Sequence, residues 1–169
     1  MNVRRARLLA SALCALGLLA PGCSDPPEAP ASLVPTGYSG RFVQVRGCRN
    51  TIEHLAAATS GAATSHIRVV INPEAAAAYR ANAATLPVGT LVIKEEFDDP
   101  DCRTVTGFTV MRKEPAGYDP AHGDWRWQRV RARDSAVLED GIVQRCWSCH
   151  NRPACTARDW QCTEAQPGD

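Results

Sequence analysis

Residues 145–155 read Arg-Cys-Trp-Ser-Cys-His-Asn-Arg-Pro-Ala-Cys, and this run constrains the chain more than any other. Its three thiols, with Cys48, Cys102 and Cys162, are sulfurs that any fold must place in pairs or around a ligand. Three chemistries compete for them: disulfides alone, a tetrahedral zinc site, or covalent attachment of haem. The compartment decides among these, because disulfides persist in oxidising surroundings and are rare in reducing ones.

The N-terminus bears on that question. Arg4, Arg5 and Arg7 precede an apolar run from Leu8 to Ala20, the layout of a secretory signal peptide over residues 1–22. A run of about 13 residues is too short to cross a bilayer, which needs nearer 20 residues as a helix. It ends in "LLAPGCSD", which resembles the lipobox of bacterial lipoproteins, with Cys23 as the acylated residue. The expectation is an exported chain, anchored only through lipid and facing the periplasm or the cell exterior. Loss of Arg4, Arg5 and Arg7 lowers Lys+Arg from 19 to 16 against 18 acidic residues, about −2. Near-balance without basic clusters interleaved with aromatics gives nucleic-acid binding no support.

Residues 23–37 then read as the lipid-attachment cysteine and a proline-rich tether, and residues 38–169 as one folded domain. Within it, residues 52–60 are a helix candidate, and 66–71, rich in β-branched side chains, a strand. Asn72 followed by Pro73 predicts a helix over 73–83. In "LVIKEEF", residues 91–97, Leu91, Ile93 and Phe97 share one strand face while Val92, Lys94 and Glu96 share the other. Further strands are predicted near 104–113 and 125–133, and a last short helix from near Ile142 carries the cysteine cluster. Consecutive strands with short links predict an α+β domain, a mainly antiparallel sheet flanked by helices.

In an exported chain six cysteines ordinarily mean three disulfides. Cys146, Cys149 and His150, however, have the spacing of c-type haem attachment, two thioether sulfurs followed by an iron ligand. On that reading Cys48 with Cys102 and Cys155 with Cys162 remain as natural pairs, although sequence cannot fix connectivity. The zinc alternative would use Cys146, Cys149, Cys155 and Cys162. A thioredoxin-like use of the pair lacks the strand-helix-strand unit that leads into such a motif.

The blocks "HIRVVINPEAAAAY", "LPVGTLVIKEEF", "FTVMRKEPAGYDPAHGDWRW" and "CWSCH", in this order from about Ser65 to Trp160, resemble the cytochrome P-460 family, relatives of cytochrome c′-beta. The resemblance implies an exported mono-haem c-type cytochrome, often homodimeric, with an open distal iron site. Cys146 and Cys149 would form the thioethers of one covalent haem c, and His150 would be the proximal iron ligand. The ring nitrogen of His150 not on the iron should donate to a carbonyl or carboxylate. The resemblance further implies binding or redox conversion of small nitrogen species, hydroxylamine or nitric oxide, with a redox partner that the sequence does not identify. In members named for P-460 a lysine is cross-linked to the haem edge. Lys94 is the candidate here, since an apolar pocket would favour its neutral, nucleophilic form; its alternative is a surface lysine paired with Glu95 or Glu96.

A closed electron carrier would need a second strong ligand. His54, His66, His122 and Met111 are the side chains that could supply one, with His122 expected in an exposed turn and Met111 in the core. Glu95, Glu96, Asp98 and Asp99 could offer a distal acid or base, although such a charge run is normally solvated. Trp125 and Trp127 share a strand face with Arg129, Arg131 and Arg133. Burying the tryptophans while solvating the arginines would need a bulge between them.

Overall fold

The β-branched and aromatic runs of the chain form one continuous meander. In the computed structural model, which describes residues 28–51 and 66–163, six antiparallel strands lie in sequence order: β1 (Val43–Asn50), β2 (His66–Ile71), β3 (Leu91–Phe97), β4 (Val105–Lys113), β5 (Trp125–Arg131) and β6 (Val137–Gly141). Helices α1 (Pro73–Arg80), α2 (Gln144–His150) and α3 (Pro153–Thr156) complete the α+β fold. The helix expected over 52–60 lies outside the described residues.

Both faces of the sheet are buried, and alternation along each strand sorts the side chains between them. One face gathers Val45, Val69, Ile71, Val92, Met111, Trp125 and Trp127 under Ala75, Ala76 and Tyr79 of α1 and Cys146 of α2. The other gathers Val70, Ile93, Phe108, Val110 and Val130. This second face is covered by the N-terminal segment, through Leu33, Val34, Tyr38 and Phe42. The segment is docked by more than apolar contact: the Leu33 amide donates to Oε1 of the fully buried Gln128 at 2.7 Å, and Gln128 Nε2 donates to the Ala31 carbonyl at 2.9 Å. Residues 31–34, expected as part of an extended tether, are therefore held on the sheet.

Several expectations are corrected by this two-sided burial. Glu95 and Glu96, expected in water, are both fully buried. Glu95 accepts from Tyr38 Oη at 2.6 Å and from Arg68 Nε at 2.5 Å; Glu96 accepts from Thr109 Oγ1 at 2.6 Å. Such bonds offset the desolvation that otherwise forbids a buried carboxylate. Arg129, expected on a solvated strand side, is 6 % exposed and pairs with Glu139 at 2.6 Å. No bulge separates it from Trp127 in the β4–β5 ladder, which is continuous from Lys113↔Trp125 to Gly107↔Arg131. Salt pairing instead of solvation lets the arginine follow the tryptophans inward, and β5 ends at Arg131, whose guanidinium pairs with Asp134 in the following turn.

The helix from Pro73 stops at Arg80 rather than residue 83, because Asn82 turns left-handed at φ 51°. Asn72 occupies the cap position without capping. Its Oδ1 instead accepts the Leu91 amide at 2.7 Å, tying the helix start to β3. Strands β1 and β6 were not anticipated: Gly47 interrupts the alternation of the first, and the second is five residues with an acidic end.

Cys48 on β1 is disulfide-bonded to Cys102 in the β3–β4 connection, across 54 residues of chain. By loop-closure entropy this link stabilises the fold by up to about 4 kcal/mol. The double variant Cys48→Ala/Cys102→Ala should lose stability of that order in a denaturant titration. A loss under about 1 kcal/mol would mean that the sheet alone holds β1.

Candidate functional site

A cavity of about 470 Å³ opens between the tryptophan-bearing sheet face and the C-terminal segment. Its sheet wall is apolar at Ile67, Val69, Val92 and Met111. Its other wall is α2. Cys146, Cys149 and His150 are spaced i, i+3 and i+4 on that helix, so one helical stripe delivers all three to the cavity.

The three groups differ in their surroundings. Cys146 is 8 % exposed, and burial, with the nearby Glu139 charge, pushes its thiol up to about 11. Cys149 is exposed. His150 is half-buried, and its Nδ1 lies 2.6 Å from the Trp160 carbonyl. A carbonyl can only accept, so Nδ1 carries the proton and the lone pair of the neutral ring resides on Nε2. The resemblance implied a donation to a carbonyl or a carboxylate, and the acceptor is this backbone carbonyl. The ring also meets Trp127 edge-to-face, with centroids 4.8 Å apart at 70°.

Lys94 lines the cavity from β3, where alternation puts it on the same face as Val92. Burial lowers its pKa, the Glu96 carboxylate opposing that shift. Desolvation thus moves the amine toward the neutral form that a nucleophile requires. Arg49, Arg129, Arg145 and Arg152 also line the cavity, giving it a basic character. Glu139 binds two of them, Arg129 Nη1 at 2.6 Å and Arg145 Nε at 3.0 Å, and so links β5 to α2.

The other candidate ligands separate clearly. Met111 is 5 % exposed and lines the cavity, with its sulfur accepting from Gln161 Nε2 at 3.9 Å. His66 has the alternation parity of Arg68 and Val70, on the opposite sheet face. His54 lies outside the described residues. His122 was expected in water but is half-buried: Asp119 holds its Nδ1 at 2.8 Å, and its ring stacks on Trp147 of α2 at 4.1 Å and 22°. The turn preceding β5 thus packs against the helix that bears the cysteines. Sequence reasoning missed the roles of Arg129 and Trp160. The parity of Arg129 with Trp127 was a usable signal, whereas nothing local marks a carbonyl at residue 160 as a histidine partner.

Cys155 and Cys162 form the second disulfide, closing a short loop around residues 156–161. Those two sulfurs are thereby unable to serve as zinc thiolates, which removes the four-cysteine zinc site. Two thiols, one imidazole with its lone pair on Nε2, and a cavity with an apolar sheet wall in the size range of ligand sites fit a covalently held, flat, iron-bearing macrocycle.

The family model described as cytochrome P460 matches residues 45–162, a span that contains the whole cavity except its last lining residue. No curated protein matches the chain. From the burial of the two thiols, Cys149 should alkylate at pH 8 about tenfold or more faster than Cys146 in the chain purified without cofactor, read by mass spectrometry of the modified peptide. Equal rates would contradict the burial of Cys146.

Proposed function

Because the chain belongs to the cytochrome P460 family, which implies a haem cofactor, we propose that it is a mono-haem c-type cytochrome whose iron has an open distal side for small nitrogen species such as nitric oxide or hydroxylamine. The observation that carries this reading is the presentation of Cys146, Cys149 and His150 on one stripe of α2 at the cavity wall. Cys146 and Cys149 would hold the haem through thioethers and His150 Nε2 would take the iron. Haem, when bound, supplies a redox-active metal that can ligate and exchange electrons with such molecules.

The chain's own groups define the rest. Trp127 and the Trp160 carbonyl orient His150, and the carbonyl's hydrogen bond makes the imidazole a stronger donor. Ile67, Val69 and Val92 keep the sheet wall apolar and limit water. Among the described residues, His150 is the sole histidine lining the cavity. Lys94 lies in the same cavity with its amine biased toward neutrality, the condition for a bond to the cofactor edge. Oxidation of hydroxylamine is the activity that such a bond would favour. Met111, also at the wall, is the group that would close the site in an electron carrier.

Export with lipid attachment at Cys23 completes the proposal.

Produced with a c-type maturation system, the protein should be coloured, with haem resistant to acid-acetone extraction. Cys146→Ser/Cys149→Ser should lose that covalent haem. The ferrous protein should bind carbon monoxide or nitric oxide, and a site that resists both would mean closure by Met111. A broad, red-shifted ferrous Soret band abolished by Lys94→Arg would assign the cross-link. A colourless protein from that system would overturn the haem reading.

A further inference from the structure

The "GYDPAHGDW" run leads into β5, and two residues in unusual backbone conformations lie within the loop closed by the Cys155–Cys162 disulfide. They meet at one place. Asp159 and Trp160 are consecutive non-glycine residues with positive φ, 52° and 69°, a combination that costs energy and persists only where the surroundings impose it. What imposes it is polar and buried. Asp159, 6 % exposed, binds Lys113 Nζ through both carboxylate oxygens at 2.7 and 2.8 Å. It also accepts the Leu86 amide at 2.7 Å and the Trp125 indole N–H at 3.4 Å. Lys113, 8 % exposed, uses a further proton on the Gly123 carbonyl at 2.7 Å.

The turn is shaped to receive this. Gly123 has φ 69°, and a Cβ there would lie 2.7 Å from the Trp160 ring, so only glycine lets the indole settle. Asp124 Oδ1 ties the turn by accepting the Gly117 and Asp119 amides at 3.1 and 2.9 Å. His122 contacts Trp147 of α2 and, edge-on at 5.4 Å, Trp160. Both tryptophans that flank His150 in the chain, one before and one after, thus rest on the same turn.

The carbonyl of Trp160 is the acceptor for His150 Nδ1–H. We infer that Lys113 and Asp159, seated on the Gly123 turn, are positioning residues for His150: they hold the left-handed segment that aims the Trp160 carbonyl at the imidazole, and so set its tautomer and its strength as an iron ligand. This rests on the proposed role of His150 toward iron, but the tautomer does not. A buried ion pair with every partner satisfied is costly to break from one side, so removing either member should release the segment. A histidine that loses such a second contact donates less electron density to its metal.

The test uses Asp159→Asn and Lys113→Met in the full chain, with Lys113→Arg as the conservative partner. In the haem-loaded ferrous protein, resonance Raman should show the iron–histidine stretch moved to lower frequency in both variants and near the parent value in Lys113→Arg. Circular dichroism and haem per chain should match the parent. An unchanged stretch in both folded variants would overturn the inference. If the protein proves colourless, the haem reading fails separately, and nitrogen NMR of His150 still decides. The parent should show one Nδ1-protonated tautomer and the variants a mixture; a single unchanged tautomer in the variants would overturn the proposal. Should Asp159→Asn not fold, Gly123→Ala, whose Cβ would press on the Trp160 ring at 2.7 Å and reach Asp159 Oδ1 at 3.3 Å while leaving both charged side chains in place, should give the same downshift or tautomer mixing, and its absence would count equally against the inference.

Discussion

A sheet covered on both faces leaves little solvent for the side chains of its central strands. β3 and β4 have neighbours on both edges, the N-terminal segment over one face, and α1 with the cavity wall over the other. Every polar side chain projecting from them must therefore be bonded by the protein or by what the cavity holds. Glu95 is answered by Tyr38 and Arg68, Glu96 by Thr109, and Lys113 by Asp159 and Gly123. These pairings are what specify which segments may cover the sheet. An apolar face would accept many covers, but a buried carboxylate accepts only one that brings its donor.

The same constraint organises the site. The N-terminal segment closes the face away from the cavity through Tyr38 and Gln128, leaving the tryptophan-bearing face to α2 and the C-terminal loop. On that face a row across the ladder, Val69, Lys94, Thr109 and Arg129, lies at one register level. Lys94 reaches the cavity because β3 alternates without interruption through it, and its lowered pKa follows from the depth at which that register leaves it. Chemistry at the cavity thus derives from strand parity on one wall and helical stripe on the other.

Much of this was legible in the chain. Strand β3 was recognised at its observed limits, since β-branched residues bounded by turn residues have few other options. The α+β class, the helix opened by Pro73 and the location of the cysteine cluster on a short late helix were also readable. The disulfides Cys48–Cys102 and Cys155–Cys162 are the pairs left once Cys146 and Cys149 are set aside. Less was legible where a residue's surroundings come from distant segments. Glu95, Glu96 and Arg129 look solvated in sequence because their partners lie on other strands or in the N-terminal segment. His122 looks like a turn residue because Trp147 is far along the chain. β1 was overlooked because Gly47 and Arg49 break its alternation.

By itself the sequence determined the central elements and the reactive set: alternating strands, an i, i+3, i+4 stripe of Cys146, Cys149 and His150, and a pairing arithmetic for the remaining thiols. These are properties of short stretches, governed by backbone periodicity and side-chain type. Only the tertiary structure decided which carbonyl receives the His150 proton, that Lys113 and Asp159 meet in the interior, and that Lys94 faces a cavity rather than water. Those outcomes depend on desolvation and on contacts between residues tens of positions apart, quantities that no local pattern contains.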